Sequence, residues 1–140
     1  MFDPSREQVR DTFFETWRKY RAGEPLVGIE TLALGAILAH PEYHEALSQP
    51  ERIRAKDYTD EANPFLHLSL HMALEEQLSI DQPPGIAQRF AALLRRTGER
   101  HAAMHEAIEC LAETVWRAQR DQAPPDAAAY LGCLERRARA

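Results

Sequence analysis

Two nine-residue strings in this chain share one pattern of residues that can bind a metal ion. HLSLHMALE and HAAMHEAIE both read His-x-x-x-His-x-x-x-Glu. The recurring side chains are those of His67, His71, Glu75, His101, His105 and Glu109. Successive residues of a helix turn by about 100°, so positions i, i+4 and i+8 share a face. Each string therefore predicts a helix with two imidazoles and one carboxylate in a row.

The doubled string predicts a buried metal site. Leu74 and Leu78 flank the first row, and Met104 and Ile108 flank the second, so both rows are expected to point mainly toward the core. Burying imidazoles and carboxylates without partners costs free energy, and a shared ion removes that cost. Two facing helices would supply four nitrogens and two carboxylates, enough for one ion or two. Coordination rich in imidazole favours iron or zinc over manganese.

A metal-free alternative stays open at this point. Paired histidines on a helix can hydrogen-bond to carboxylates, such as Glu75 and Glu76, and to backbone carbonyls. The chain would then be a helical interaction module with a buried histidine network. The sequence indicates no particular reaction, catalytic residue or substrate.

Three further residues are weaker candidates for the same site. His40 and His44 form another i, i+4 pair, but Pro41 lies between them and starts a new turn, so capping or surface roles are favoured. Glu30 is the only charged residue between Glu24 and His40, and its stripe is otherwise apolar. A carboxylate there needs a cation or a donor, which makes it an additional ligand candidate.

Composition and charge describe an ordinary globular protein. The 140 residues are 44% hydrophobic and 28% charged, with a formal net charge of −5. An acidic chain is not expected to bind nucleic acid, and no apolar run approaches the ~20 residues that span a bilayer. The N-terminus lacks the apolar stretch of a signal peptide, which predicts a cytoplasmic protein. Cys110 and Cys133 indicate no disulfide framework.

The elements that must position these side chains are all predicted to be helical. We predict an all-α, single-domain bundle of five to six helices over residues 1–140. The expected helices begin at Asp3-Pro4, near Pro25, at Asn63-Pro64, near Pro84, at Glu99 and after Pro124-Pro125-Asp126. The segment SQPERIRAKDYTDEANP has no apolar period and is expected to be a long loop. Homodimerisation stays open.

Several stretches resemble one protein family. FDPSREQVRDTFFETWRKYRAGEPL, HPEYH, NPFLHLSLHMALEEQLSIDQPPGI and RHAAMHEAIECL are similar to a short proteobacterial family, domain of unknown function 1841 (DUF1841). The resemblance spans nearly the whole chain and implies a single cytoplasmic domain, with no activity attached. More loosely, the paired histidine–glutamate helices are similar to hemerythrin-like and ferritin-like bundles, although the Glu-x-x-His spacing of the ferritin-like pattern is missing.

Overall fold

A computed structural model describes residues 6–54 and 63–140 of the chain, and these residues form helices joined by short connections. The α-helices are α1 (Arg6–Ala22), α2 (Ile29–Leu38), α3 (His44–Leu47), α4 (Pro50–Arg54), α5 (Pro64–Ile80), α6 (Ile86–Thr97), α7 (Arg100–Asp121) and α8 (Ala127–Arg139). A single 3-10 turn covers Pro41–Tyr43. No strand occurs in these ranges, which confirms the all-α class.

The predicted count of five to six helices was too low, because two short helices follow the 3-10 turn. α3 and α4 lie where the sequence predicted a turn and the start of a long loop. Each is anchored by one buried side chain, Leu47 and Ile53 respectively. Tertiary burial of one residue leaves no periodic pattern, so these helices were missed. The rest of the predicted loop, residues 55–62, lies outside the described part of the chain, as does the predicted start of the first helix.

The longer helices agree better with their predicted limits. α5 to α8 each begin within about two residues of the predicted start, because capping residues, Pro and Gly mark these positions in the sequence. α2 is the exception, since it begins at Ile29 rather than near Pro25. The residue before it, Gly28, has a φ of 57°, a left-handed conformation that cannot belong to the helix.

The chain divides into two compact units, Met1–Met72 and Ala73–Ala140, with the division inside α5. In the first unit, α1 packs against α2 and α3. Its core consists of Phe13, Phe14, Trp17, Ala33, Ala36, Ile37, Leu47, Ile53, Phe65 and Leu68. This core holds the C-terminal end of α2 and the first turns of α5.

In the second unit, α6, α7 and α8 pack against one another. Ile86, Phe90 and Leu93 form the buried face of α6, and Tyr130 and Leu134 form that of α8. The Tyr130 hydroxyl donates to Gln77 Oε1 at 2.7 Å, which joins α8 to the last turns of α5.

The two cysteines correct a prediction from the sequence. Cys110 on α7 and Cys133 on α8 are joined by a disulfide, with their Cα atoms 5.9 Å apart. The bond follows from the packing of α7 on α8, which brings together side chains 23 residues apart. Two cysteines at that spacing carry no periodic signal, so the sequence could not predict their pairing.

Across the described ranges, every helix is too short or too polar to cross a lipid bilayer.

Candidate metal centre

Three histidines of the first unit lie together: His40, His67 and His71. His67 and His71 are one turn apart on α5, as the sequence predicted. His40 directly precedes the 3-10 turn at the C-terminal end of α2. One ring nitrogen from each histidine of this cluster lies within 4.8 Å of those of the other two, an arrangement that could hold a metal ion.

The start of α5 is well fixed, and this fixes two of the three rings. Asn63 Oδ1 accepts hydrogen bonds from the backbone N–H groups of Phe65 at 3.0 Å and Leu66 at 3.3 Å. Pro64 follows this N-cap, at a position where its missing N–H has no cost. Leu68, which lies about 60° from His71 around the helix, is fully buried, so the side of α5 that bears His71 faces inward.

The Nε2 atoms of the cluster face each other at short range. His67 Nε2 lies 3.0 Å from His40 Nε2 and 3.2 Å from His71 Nε2. His40 is fully buried and His71 is 3% exposed. Ligands of one ion at metal–nitrogen distances of about 2.1 Å lie roughly 2.9–3.4 Å apart, depending on the coordination angle. Both measured separations fall within that interval.

The tautomer of His40 follows from its other nitrogen. His40 Nδ1 lies 2.7 Å from the backbone carbonyl oxygen of Ala36. A carbonyl oxygen can only accept, so Nδ1 carries the proton and donates it. In the neutral ring, Nε2 of His40 therefore presents a lone pair to the other two histidines. A backbone carbonyl on the distal nitrogen is also a common arrangement for histidines that bind metals.

A single linear N–H···N hydrogen bond accounts for one of the two short contacts of His67 Nε2. That atom has one in-plane position, which holds either a proton or a lone pair. If it holds a proton directed at His40 Nε2, it cannot also accept from His71. If it holds a lone pair, it faces the lone pair of neutral His40. A cation bound by all three nitrogens satisfies every one of these contacts at once.

His44, the partner of His40 in the third i, i+4 pair, is engaged elsewhere. Its Nε2 donates to the carbonyl oxygen of Ile37 at 2.8 Å, and its ring packs on Trp17 with a centroid distance of 4.3 Å. His40 and His44 thus cap two of the last carbonyls of α2, as the sequence analysis favoured. Only His40 also joins the histidine cluster.

Glu30 is paired with a cation of the protein itself. Its carboxylate accepts from the Val27 backbone N–H at 3.1 Å and lies 3.0 Å from Lys19 Nζ. The Val27 N–H, and then Lys19, hold the pKa of this carboxyl below its usual range. Glu30 therefore has the cation and the donor that its apolar stripe required.

The second predicted histidine pair lies in the second unit, on α7. The rings of His101 and His105 are 4.1 Å apart between centroids, and both side chains are partly buried. The buried stripe of α7 runs through Met104, Ile108 and Leu111, so the histidine row lies along its edge. The continuation of that row through Glu109 is exposed.

The two predicted carboxylate ligands are each held by an arginine within the second unit. Arg100 Nη1 donates to Glu75 at 2.6 Å, and Arg137 Nη1 donates to Glu109 at 2.6 Å. The structure thus brings His67 and His71 together, brings His101 and His105 together, and engages both carboxylates in ion pairs. Ligation of a metal by Glu75 or Glu109 stays a prediction.

An aromatic side chain borders the histidine cluster. The ring of Tyr43 stacks on that of His40, with centroids 5.5 Å apart and planes inclined by 14°. Its centroid is 6.3 Å from that of His67. Burial raises the pKa of the Tyr43 hydroxyl, so it stays protonated near neutral pH. Tyr43 therefore shields one side of the cluster with a neutral ring.

The fold and the site together define an all-α protein with a cluster of buried and partly buried histidines. A family model matches residues 5–136, so the chain belongs to the family described as Domain of unknown function (DUF1841). No curated protein and no solved structure matches the chain.

Proposed function

We propose that this chain is a metal-binding protein, in which His40, His67 and His71 hold one transition-metal ion. The observation that carries the proposal is that His67 Nε2 lies close to the Nε2 atoms of two other histidines. The distance is 3.0 Å to His40 Nε2 and 3.2 Å to His71 Nε2. The bond to Ala36 places the proton of His40 on Nδ1, so in the neutral ring Nε2 has a lone pair with which it can bind an ion. Zinc or iron suits such a set of imidazoles better than manganese does.

Three imidazoles leave a coordination position for another ligand. In catalytic zinc sites with three protein ligands, the fourth position holds water, and the ion makes that water more acidic. The doubled string of the sequence also nominates His101 and His105 as protein ligands, and His105 represents that pair in the test. We leave Glu75 and Glu109 out of the proposed ligand set, because each already pairs with an arginine.

The proposal assigns metal binding and no reaction. The likeness to hemerythrin-like bundles concerns the ligand types alone, and the ligand set proposed here does not depend on it. A metal-free histidine network is the competing function, and the following experiment separates the two.

The test measures how much metal the protein binds and which histidines bind it. Purified full-length protein is analysed for metals, then stripped and reloaded with zinc, with cobalt as a spectroscopic substitute. We expect one ion per chain, and a cobalt spectrum that changes when any ligand is removed. His40→Ala, His67→Ala and His71→Ala should each weaken zinc binding by about 10-fold or more, and His105→Ala tests the further ligand.

His44→Ala is the matched control. His44 belongs to the same i, i+4 pair as His40 and also caps α2, but its Nε2 donates to Ile37. This variant should keep full metal stoichiometry. Absence of stoichiometric zinc after reloading, or equal binding by all five variants and the wild type, would establish the metal-free network instead.

A further inference from the structure

A cavity in the second unit has the disulfide in its wall. The cavity has a volume of about 690 Å³ and lies between α7, α8 and the connection between them. Cys110 and Cys133 both line it, together with three arginines, Arg117, Arg120 and Arg136. A disulfide that borders open space can meet a small molecule, unlike one enclosed in a core.

The two sulfurs differ in access. Cys110 is 1% exposed, whereas Cys133 is partly exposed. Gly132, which precedes Cys133, adds no side chain next to it. Because Cys133 is the more exposed residue, we expect a thiol in the cavity to attack its sulfur rather than that of Cys110.

Of the three arginines that line the cavity, two form ion pairs with neighbouring carboxylates. Arg117 pairs with Glu113, and Arg120 pairs with Asp121. Arg136 makes no ion pair with any residue in 6–54 or 63–140. It lies about one helical turn after Cys133, and its Nη1 would be 3.5 Å from a Cβ added at Gly132, so its guanidinium lies along α8 beside the residue that precedes Cys133.

The remaining carboxylate of the wall is already bound. Asp126 accepts from the Ala129 backbone N–H at 3.0 Å and caps α8. Arg136 is therefore the cation of this cavity that is available to an incoming anion.

We propose that Cys133 is a site of thiol–disulfide exchange with small thiols that carry carboxylates. The incoming thiolate attacks Cys133 Sγ, a new S–S bond forms, and the Cys110–Cys133 bond breaks. The electron pair leaves on Cys110 Sγ, which takes a proton from water. A second thiolate then attacks the external sulfur of the mixed disulfide and releases Cys133 as a thiolate. In total, the protein disulfide is reduced to two thiols and two small thiols are oxidised to their disulfide.

Arg136 has two roles in this exchange. Its charge attracts the carboxylate of the small thiol, and it stabilises negative charge as the sulfurs exchange. The exchange uses only residues of the second unit and does not rest on the proposed metal site.

The test compares thiols of opposite charge on oxidised full-length protein. Glutathione and cysteamine serve as the anionic and cationic thiols, and each rate is divided by that thiol's rate with a small reference disulfide. One unit of charge at contact distance in water changes the rate by about fivefold. Glutathione and cysteamine differ by two units of charge, so we expect glutathione to be favoured by about 25-fold at low salt. Rapid alkylation and mass spectrometry should find the adduct on Cys133.

Arg136→Gln should remove this preference. Arg95→Gln is the matched control, because Arg95 is an exposed arginine of α6 in the same unit and does not line the cavity. Equal normalised rates for both thiols, an adduct on Cys110, or an equal loss in Arg95→Gln would each overturn the proposal. So would a failure of Cys110 and Cys133 to form a disulfide under a mild oxidant.

Discussion

Glu75 and Glu109 show how a single side chain can match a ligand pattern and still be engaged elsewhere. Each lies four residues after a histidine, as a chelating row requires. Each also lies within reach of an arginine from a neighbouring helix, Arg100 and Arg137 respectively. The helical period fixes which residues share a face, but the partner of a flexible carboxylate depends on what packs beside it. Arginine offers a fork of donors that matches a carboxylate well.

Asp81 provides a test at the same scale, through pH. Its carboxylate accepts from the backbone N–H groups of Ala87 at 2.9 Å and Gly85 at 3.2 Å. These bonds, that of Ala87 first, lower the pKa of Asp81. A carboxyl with a lowered pKa in the folded state stabilises that state above its unfolded pKa of about 3.9. The contribution is lost as the pH falls through the lower, folded pKa.

We therefore expect Asp81→Asn to unfold at lower urea concentration than the wild type at pH 6. The gap should close as the pH is lowered toward 2.5, because the wild-type carboxyl becomes neutral as well. Urea midpoints across this range measure the effect, with Glu76→Gln, at an exposed position of α5, as the control. A gap that stays constant down to pH 2.5 would contradict the charge-based explanation.

At the scale of elements, the histidine cluster depends on where two helices meet. α5 supplies His67 and His71 from within one helix, which a sequence pattern can reveal. His40 comes from the end of α2, 27 residues before His67. Only the packing of the first unit brings these segments together. The sequence could therefore predict two of the three clustered residues, and it favoured a capping role for the third.

The same contrast explains the other outcomes. The starts of α5, α7 and α8 were predictable because Asn63, Glu99 and Asp126 stand just before them, and each side chain accepts backbone N–H bonds. α3, α4 and the Cys110–Cys133 bond were not, because each depends on contacts between residues distant in sequence. A single sequence reveals residues that interact within their own helix. It does not reveal residues that meet only when distant segments pack together.

Asn63→Ala should weaken both the fold and the site. Loss of an N-cap costs about 1–2 kcal/mol of stability. Since α5 carries two of the proposed ligands, a similar loss in metal binding would lower zinc affinity by about 10-fold. Calorimetry and a zinc titration measure the two effects.

Asp126→Ala is the matched control, because it removes the N-cap of α8 in the second unit. It should reduce stability by about 1 kcal/mol and leave zinc affinity unchanged. If both variants lower zinc affinity equally, the start of α5 has no special part in positioning the ligands.

At the scale of the whole molecule, a bound ion should raise the free energy of unfolding. An ion that binds only the folded state adds about 4 kcal/mol at a thousandfold excess over its Kd. A strong chelator should therefore lower the melting temperature of the metal-loaded protein by several degrees. The proposal predicts this shift for the intact cluster and a much smaller one for His67→Ala.

His44→Ala separates capping from ligation in the same measurement. This variant loses one bond to the end of α2, so its melting temperature should fall before any chelator is added. Its further fall on chelation should equal that of the wild type. Identical melting curves with and without prolonged exposure to chelator, for the wild type, would oppose a bound ion.

The bond from His40 to Ala36 gives the molecule an optical reporter of its own. A cation on Nε2 draws electron density from the ring and makes the opposite N–H a stronger donor. The receiving peptide carbonyl would then vibrate at a lower frequency, in a region where an isotope label at Ala36 separates it from all other carbonyls. Infrared spectroscopy of the Ala36 carbonyl, in the last turn of α2, could thus follow metal binding at His40 without a label on any of the three histidines.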